Sequence, residues 1–458
     1  LKNLAVILLS FFILISCSKE INNIEDNQPP YPFEVTVQSI NFTVVSISWS
    51  PSLDPEGKDI TYKIYLEDHL LVDSISNHSH TFFNLDHHTA YTGKVMAFDP
   101  QGNNASATFS FTTLEANVLN SGKQLLDQQA VNDFAQNEYN VIKGDLKLGN
   151  SVTIYGVPYS NISNLSSLSS LSSIEGTLTI HYNKNLTSLD GLQNIISVGG
   201  LTIDVLEKIV NLDDLQSLSN ITGSLNIHEN NKLINIDALE RVTTLNGNLD
   251  IISNQYLPNI DGLQNLTTVG GDLKMRRDGI QNTNGLRNLI YVGGDVQISY
   301  NAYINSLELE NITLIDGNFE IIENPILHGV NGMNKLTKIG GDLSISGSVD
   351  GFQNLRSIGG LYLSGGGHFN GLQNLKSVGS ISLSETSLEN LDFLQQVDTV
   401  KGDLYIRDYG IRDLNGLKNL VKIIDNFSMI SNYELLNIDG LSKLTSVGGK
   451  IYIAGNSQ

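Results

Sequence analysis

Two rhythms of apolar and polar residues run along this chain. Between residues 31 and 114 alternate positions are apolar over short runs: Val45, Ile47 and Trp49; Tyr62, Ile64 and Leu66; Tyr91, Val95 and Ala97; Ala107, Phe109 and Phe111. Turn-forming segments separate the runs, at Asp54-Pro55-Glu56-Gly57, Asn77-His78-Ser79 and Asp99-Pro100-Gln101-Gly102. Short strands punctuated this way predict a β-sandwich. Beyond it a longer rhythm takes over, clearest at Ile260–Met275 (IDGLQNLTTVGGDLKM). Its first leucine position recurs at Leu168, Leu192, Leu215, Leu239, Leu263, Leu286, Leu309, Met333, Phe352, Leu372, Leu394, Leu417 and Leu441, at intervals of 19 to 24 residues. Self-similarity at that period predicts a solenoid.

Within each repeat, G-x-L-x-I predicts a short strand with two inward residues, as at Leu225/Ile227, Leu249/Ile251 and Leu404/Ile406. Three residues after the second inward position an asparagine returns, at Asn183, Asn230, Asn254, Asn301, Asn324, Asn432 and Asn456. An amide there can turn inward and satisfy backbone groups at the corner. The rest of the repeat steps by threes, as in Leu186, Leu189 and Leu192, which suits tight turns better than a helix. One amphipathic helix is predicted, at Gln124–Gln136, directly before the first array strand at Gly144–Leu148. It would cap a first coil that otherwise exposes apolar side chains and a strand edge.

The phrase G-L-x-N-L-x-x-V-G-G-x-L-x-I, with its inward corner asparagine, resembles the receptor L-domain family and related bacterial leucine-rich-repeat surface proteins. That resemblance implies extracellular recognition, with no ligand residues common to the family. The cysteine-bearing caps of eukaryotic L domains have no counterpart here. Trp49 on the second predicted strand, and Leu85-x3-Thr89-x-Tyr91, resemble a fibronectin type III domain and its tyrosine corner, although His87 stands where that family usually has proline. The expected fold class is therefore mainly β: a fibronectin type III-like sandwich (31–114), a linker with the capping helix (115–140), and a parallel-β, leucine-rich-repeat solenoid (141–458).

Charge narrows the partners. Acidic residues outnumber basic ones 48 to 27, for a net charge of −21. Nucleic acids and anionic membrane surfaces need Lys and Arg, so neither is expected as a ligand. A single cysteine, Cys17, precludes an intramolecular disulfide. It follows Lys2 and the apolar run Leu4–Ile15, too short to span a bilayer. The sequence Leu14-Ile15-Ser16-Cys17 resembles a bacterial lipobox, which implies a signal peptide (1–17), lipid attachment at Cys17 and a membrane tether through residues 18–30. Ser18, rather than Asp, follows the cysteine, so the expectation is an outer-membrane, surface-exposed lipoprotein of the cell envelope.

Candidate chemistry is sparse, and no metal or cofactor is expected. Asp54, Glu56, Asp59 and Asp99 gather in two sandwich loops, and His78, His80, His87 and His88 lie close in sequence, but turn chemistry accounts for the acids. Outward strand positions carry His181, Arg276, Tyr362, Tyr405, Arg407 and Tyr452, with Tyr182, Tyr256, Tyr300, Tyr303, Tyr409 and Tyr433 in the corners. Exposed tyrosine and arginine among small polar residues suit protein or glycan contact, so Tyr256, Arg276, Tyr300, Tyr362, Tyr405 and Arg407 are the candidate ligand-binding residues. A β-helical polysaccharide-degrading enzyme would need carboxylates converging from adjacent coils. Asp272 and Asp295 do stack, but Asp342 and Asp403 share their place in the repeat. The expectation is a non-catalytic recognition or adhesion protein; a structural envelope protein and, third, a polysaccharide-degrading enzyme are the alternatives. Two irregularities stand out. Coils shorten between Met333 and Leu394, where Ser348, Gly366 and Thr386 replace the corner asparagine; this reads as insertion and deletion drift in a corner loop, with a local pinch or groove as the alternative. After Ile453 no cap is visible, which predicts an open edge unless the sequence continues or something covers it.

Overall fold

The structure, a computed structural model, describes residues 27–150, 160–327, 330, 332–347, 351–365, 371–386 and 388–456. Cys17 and the rest of the targeting segment, most of the tether, and the corner residues Ser348 and Gly366 lie outside the described residues. The chain divides into two compact units.

In the sandwich, strands Val35–Ile40, Val45–Trp49 and Ser79–Phe82 form one sheet. His69–Ile75, Thr61–Leu66, Ala90–Phe98 and Asn104–Thr112 form the other, with Thr61–Leu66 antiparallel to both its neighbours. The inward residues expected from alternation, Ile47, Trp49, Tyr62, Ile64, Val95 and Ala97, are all buried. Tyr62 is the centre of this core. Its ring lies 5.5 Å from that of Trp49 and 5.8 Å from that of Phe33, and its hydroxyl accepts the Ser52 amide at 2.8 Å. Tyr91 packs against Phe111 at 5.5 Å. Three strands were silent in the sequence. His69–Ile75 is the plainest case: most of its residues are exposed, so no apolar alternation marks it.

Beyond the sandwich the chain forms a parallel β-solenoid. Its long strands stack one per coil in continuous register: Leu178, Leu201, Leu225, Leu249, Leu273, Val296, Phe319, Leu343, Leu361, Ile381, Leu404, Phe427 and Ile451 are successive partners. Those up to Phe427 are buried in one unbroken core. Two-residue strands at the valine before Gly-Gly, such as Thr268–Val269 and Tyr291–Val292, stack as a second parallel ladder. The D-G-L segments are single tight helical turns, for example Asp261–Leu263. Glycine is required there because a Cβ on Gly262 would lie 2.0 Å from the Ile236 carbonyl oxygen of the coil before. Steps of three thus become turns and short extended pieces, as expected.

The start of the array differs from expectation. The helix spans Gln128–Ala135, with Asp127 accepting the Ala130 amide as its N-cap and Val131 and Phe134 buried. Gln124 and Leu125 belong instead to a strand, Lys123–Leu125, paired with Leu146–Leu148. Leu125 fits either periodicity; Asp127 decides, because an acceptor side chain starts the helix only after it. The array therefore begins one coil earlier, and the helix is part of that coil. The shortened coils keep the register of their long strands. Leu343, Leu361, Ile381 and Leu404 pair without a shift, so the contraction leaves the strand sheet intact. Phe319 and Phe352, in edge-to-face contact at 6.0 Å, supply bulk in the core there. At the far end Ile438, Ile451 and Ile453 are exposed.

Candidate functional site on the strand face

The corner after each long strand is built first, since it positions the face beside it. The corner asparagines turn inward and bridge coils. Asn254 Nδ2 donates to the Ile227 carbonyl at 2.8 Å, while its Oδ1 accepts the Asn230 amide at 3.1 Å. Asn230, Asn301, Asn324, Asn432 and Asn456 repeat one or both halves of this pattern. A bend with positive φ precedes the asparagines, at Glu229, Ser253, Tyr300, Glu323 and Ser431 among others, and recurs at Val205 and Arg277 in the corners that carry Leu206 and Asp278 instead.

Two aspartates occupy the same ladder, and the sequence reading missed both. Asp278 Oδ1 accepts the Asn254 amide at 2.8 Å, its Oδ2 accepts the Arg276 amide at 3.0 Å, and its own amide donates to Asn301. Burial pushes its carboxyl up to about 8 against the pull of those hydrogen bonds. Asp408, fully buried, accepts from the amide and hydroxyl of Thr386 and donates its amide to Asn432. The only available signal was position: Asp278 stands where the repeat calls for asparagine. A second ladder explains the aspartates after Gly-Gly. Asp272 Oδ1 accepts the Asp295 amide at 2.9 Å, and Asp295 Oδ1 accepts the Asn318 amide at 2.7 Å. Their stacking is structural.

The outward face of the long strands falls into two stretches. In the first, His181, Asp204 and His228 are in register on neighbouring strands, with Asp250, Lys274 and Arg276 following on the next two. Burial raises the carboxyls of Asp204 and Asp250, and His228 beside both partly offsets this. Lys274 forms an ion pair with Asp272 at 2.7 Å and holds that carboxyl below its usual range. His181, expected to be exposed, is buried against Tyr182, and its burial lowers the imidazole. Arg276 and Arg277 lie 5.1 and 5.8 Å over the Tyr300 ring, a double cation–π clasp. Tyr256 is exposed in the preceding corner.

In the second stretch Tyr362 and Tyr405 face outward two strands apart. Arg407 lies 3.5 Å from Glu385 and 3.4 Å from the Tyr409 hydroxyl, and Tyr409 stacks on Tyr433. The six candidate residues thus occupy one sheet face and its adjoining corners, but as two clusters: Arg276 with Tyr300, and Tyr362, Tyr405 and Arg407 further along. In the sandwich, Asp54 and Asp99 are turn residues. Asp54 Oδ1 accepts the amides of Glu56 and Lys58, and Asp99 Oδ1 those of Gln101 and Asn103. Burial pushes Asp99 up, but those bonds and the Asn27 amide outweigh it and hold the carboxyl low. Among the described residues, no group of three His, Cys, Asp or Glu side chains could hold a metal, and no helix is long and apolar enough to cross a membrane.

Comparison with known proteins supports the sandwich. The fibronectin type III domain family matches residues 29–113. A human fibronectin type III solution structure is 25% identical, covers 19% of this chain and 88% of its own, and has a TM-score of 0.17. An exopolygalacturonase of Yersinia enterocolitica is 9% identical over 94% of this chain and all of its own, at a TM-score of 0.24. A pectate lyase of Pectobacterium carotovorum is 9% identical over 87% of this chain and 86% of its own, at 0.16. No curated protein matches the chain. The chain is thus a fibronectin type III sandwich followed by a parallel β-solenoid.

Proposed function

We propose that this is a non-catalytic, lipid-anchored protein of the bacterial cell envelope, whose leucine-rich-repeat solenoid of the receptor L-domain kind recognises an extracellular protein or glycan. The observation that carries the reading is the outward strand face. Its buried side is one continuous apolar core, while half-buried arginine and partly or fully exposed tyrosine, in place of small polar residues, collect in two clusters on the other. The corner asparagine ladder supports the leucine-rich-repeat assignment. The Leu14-Ile15-Ser16-Cys17 sequence supports the anchor and a surface location on the outer membrane. Cys17→Ala is expected to abolish acyl labelling and release the protein from membranes; full retention on the membrane would overturn the anchor. A screen of the full chain against glycans and extracellular proteins tests recognition.

One observation favours polysaccharide cleavage as a second reading: Asp204 and Asp250, both with raised carboxyl pKa, flank the strand that carries His228. Paired carboxyls of that kind serve as acid and base in glycoside hydrolysis. If the solenoid is an enzyme, wild-type protein cleaves a panel member and Asp250→Asn does not; no cleavage on any polysaccharide removes the reading.

A further inference from the structure

Six successive long strands, from Leu343–Ser346 to Ile451–Ala454, share one register. At the first outward position they carry Ser344, Tyr362, Ser382, Tyr405, Ser428 and Tyr452, so serine and tyrosine alternate from strand to strand. Neighbouring strands lie about 4.8 Å apart, so a tyrosine recurs about every 9.6 Å along the solenoid. Tyr362 and Tyr452 are 39% and 56% exposed, and Tyr405 is partly exposed. The Tyr362 ring leans along its strand over Gly360, where an added Cβ would lie 2.6 Å from Tyr362 Cε2. At the second outward position Ser346, Ser364 and Ser384 are small and leave the first half of the row open from the side, and Arg407, Ile430 and Ala454 follow on the next three strands.

This spacing selects a ligand. In an extended β-linked polysaccharide successive sugars are flipped, so the same ring face returns once per disaccharide, a length close to two strand spacings. The apolar face of a sugar ring packs on an aromatic ring, and the intervening serine hydroxyls can both donate to and accept from sugar hydroxyls. Charge selects further. None of the six positions is charged, and the nearby Arg407 is 3.5 Å from Glu385. A chain of net charge −21 would repel a polyanion and is indifferent to a neutral polymer. We propose that the Ser–Tyr row is a binding subsite for an extended, uncharged β-linked polysaccharide lying across the strands, one disaccharide to every two coils. It rests on the recognition reading above and gives it a ligand class.

The test uses the full chain in isothermal titration with cello-, manno- and xylo-oligosaccharides of increasing length, against malto-oligosaccharides and oligogalacturonate. Binding is expected to at least one β-linked neutral series, tightening with length until all three tyrosines are spanned and then levelling. Each of Tyr362→Ala, Tyr405→Ala and Tyr452→Ala should weaken it by about three- to tenfold, the loss of one aromatic contact, with thermal unfolding unchanged. Gly360→Ala, which displaces the Tyr362 ring, should weaken it similarly. Undiminished binding by the triple variant, or affinity indifferent to length, overturns the row. Preference for oligogalacturonate overturns it too and moves the ligand to Arg276, Arg277 and Tyr300. Failure of every glycan removes the row but leaves protein recognition standing; failure of every protein as well removes the broader reading.

Discussion

The corner after each long strand and the outward face of that strand are only a few residues apart, yet they carry opposite kinds of sequence. At the corner the same amide does the same work from coil to coil, because each buried carbonyl and amide must find a partner. On the outward face neighbouring coils present His181, Asp204 and His228 at one end and Tyr405, Ser428 and Tyr452 at the other. One core and one register therefore support two chemically distinct surfaces. The scaffold is set by what is buried, and outward positions can diverge without disturbing it.

Breaking the corner should have the largest effect. Asn254→Ala strips partners from the Ile227 carbonyl and the Asn230 amide, both buried. Each such group costs about 1–3 kcal/mol, so a loss of roughly 4 kcal/mol is expected from urea unfolding followed by circular dichroism. Next comes Asp278. Its folded pKa of about 8 lies above the ordinary carboxyl value, so the folded chain keeps a proton that the unfolded chain releases. Its burden on stability is absent at low pH and grows as pH rises through that window. Asp278→Asn removes a burden of about 5 kcal/mol at pH 8 but leaves the Arg276 amide without its acceptor, at a cost of about 2 kcal/mol, so a net gain of roughly 3 kcal/mol is expected there, falling as pH drops towards about 4. A gain independent of pH would contradict the assignment. A smaller effect is expected at Val205, a β-branched residue held at φ 51°. Val205→Asn should raise stability by about 1 kcal/mol in the same measurement. Smallest of all, Tyr405→Ala should change stability by less than about 0.5 kcal/mol, since it leaves the buried side of its strand untouched.

Much of the corner was legible from sequence, and little of the outward face was. A period near 23 residues, inward pairs such as Leu249/Ile251 and the returning asparagine are local signals, and they located the strands. Asp278 and Asp408 escaped because a carboxylate in a corner reads as the end of the ladder, although its oxygens accept the same amides. The Ser–Tyr alternation escaped for another reason. Tyr362 and Tyr405 lie in coils of unequal length, so only the strand pairing shows that they share a row. The outermost strand of the sandwich, His69–Ile75, was missed because exposure on both faces removes the periodicity that betrays a strand.

The amide ladder also has a direction. Asn254 satisfies the corner of the coil before it, Asn230 does the same for Leu206, and Asn432 for Asp408. At this corner a coil is thus completed by its successor, the reverse of the ladder after Gly-Gly, where Asp272 accepts the amide of Asp295 in the coil that follows. Each coil laid down closes the corner already made, in the order in which a ribosome delivers them. Growth from the helix-bearing first coil would follow synthesis, and a nascent array would carry only one unfinished corner at a time, always the newest.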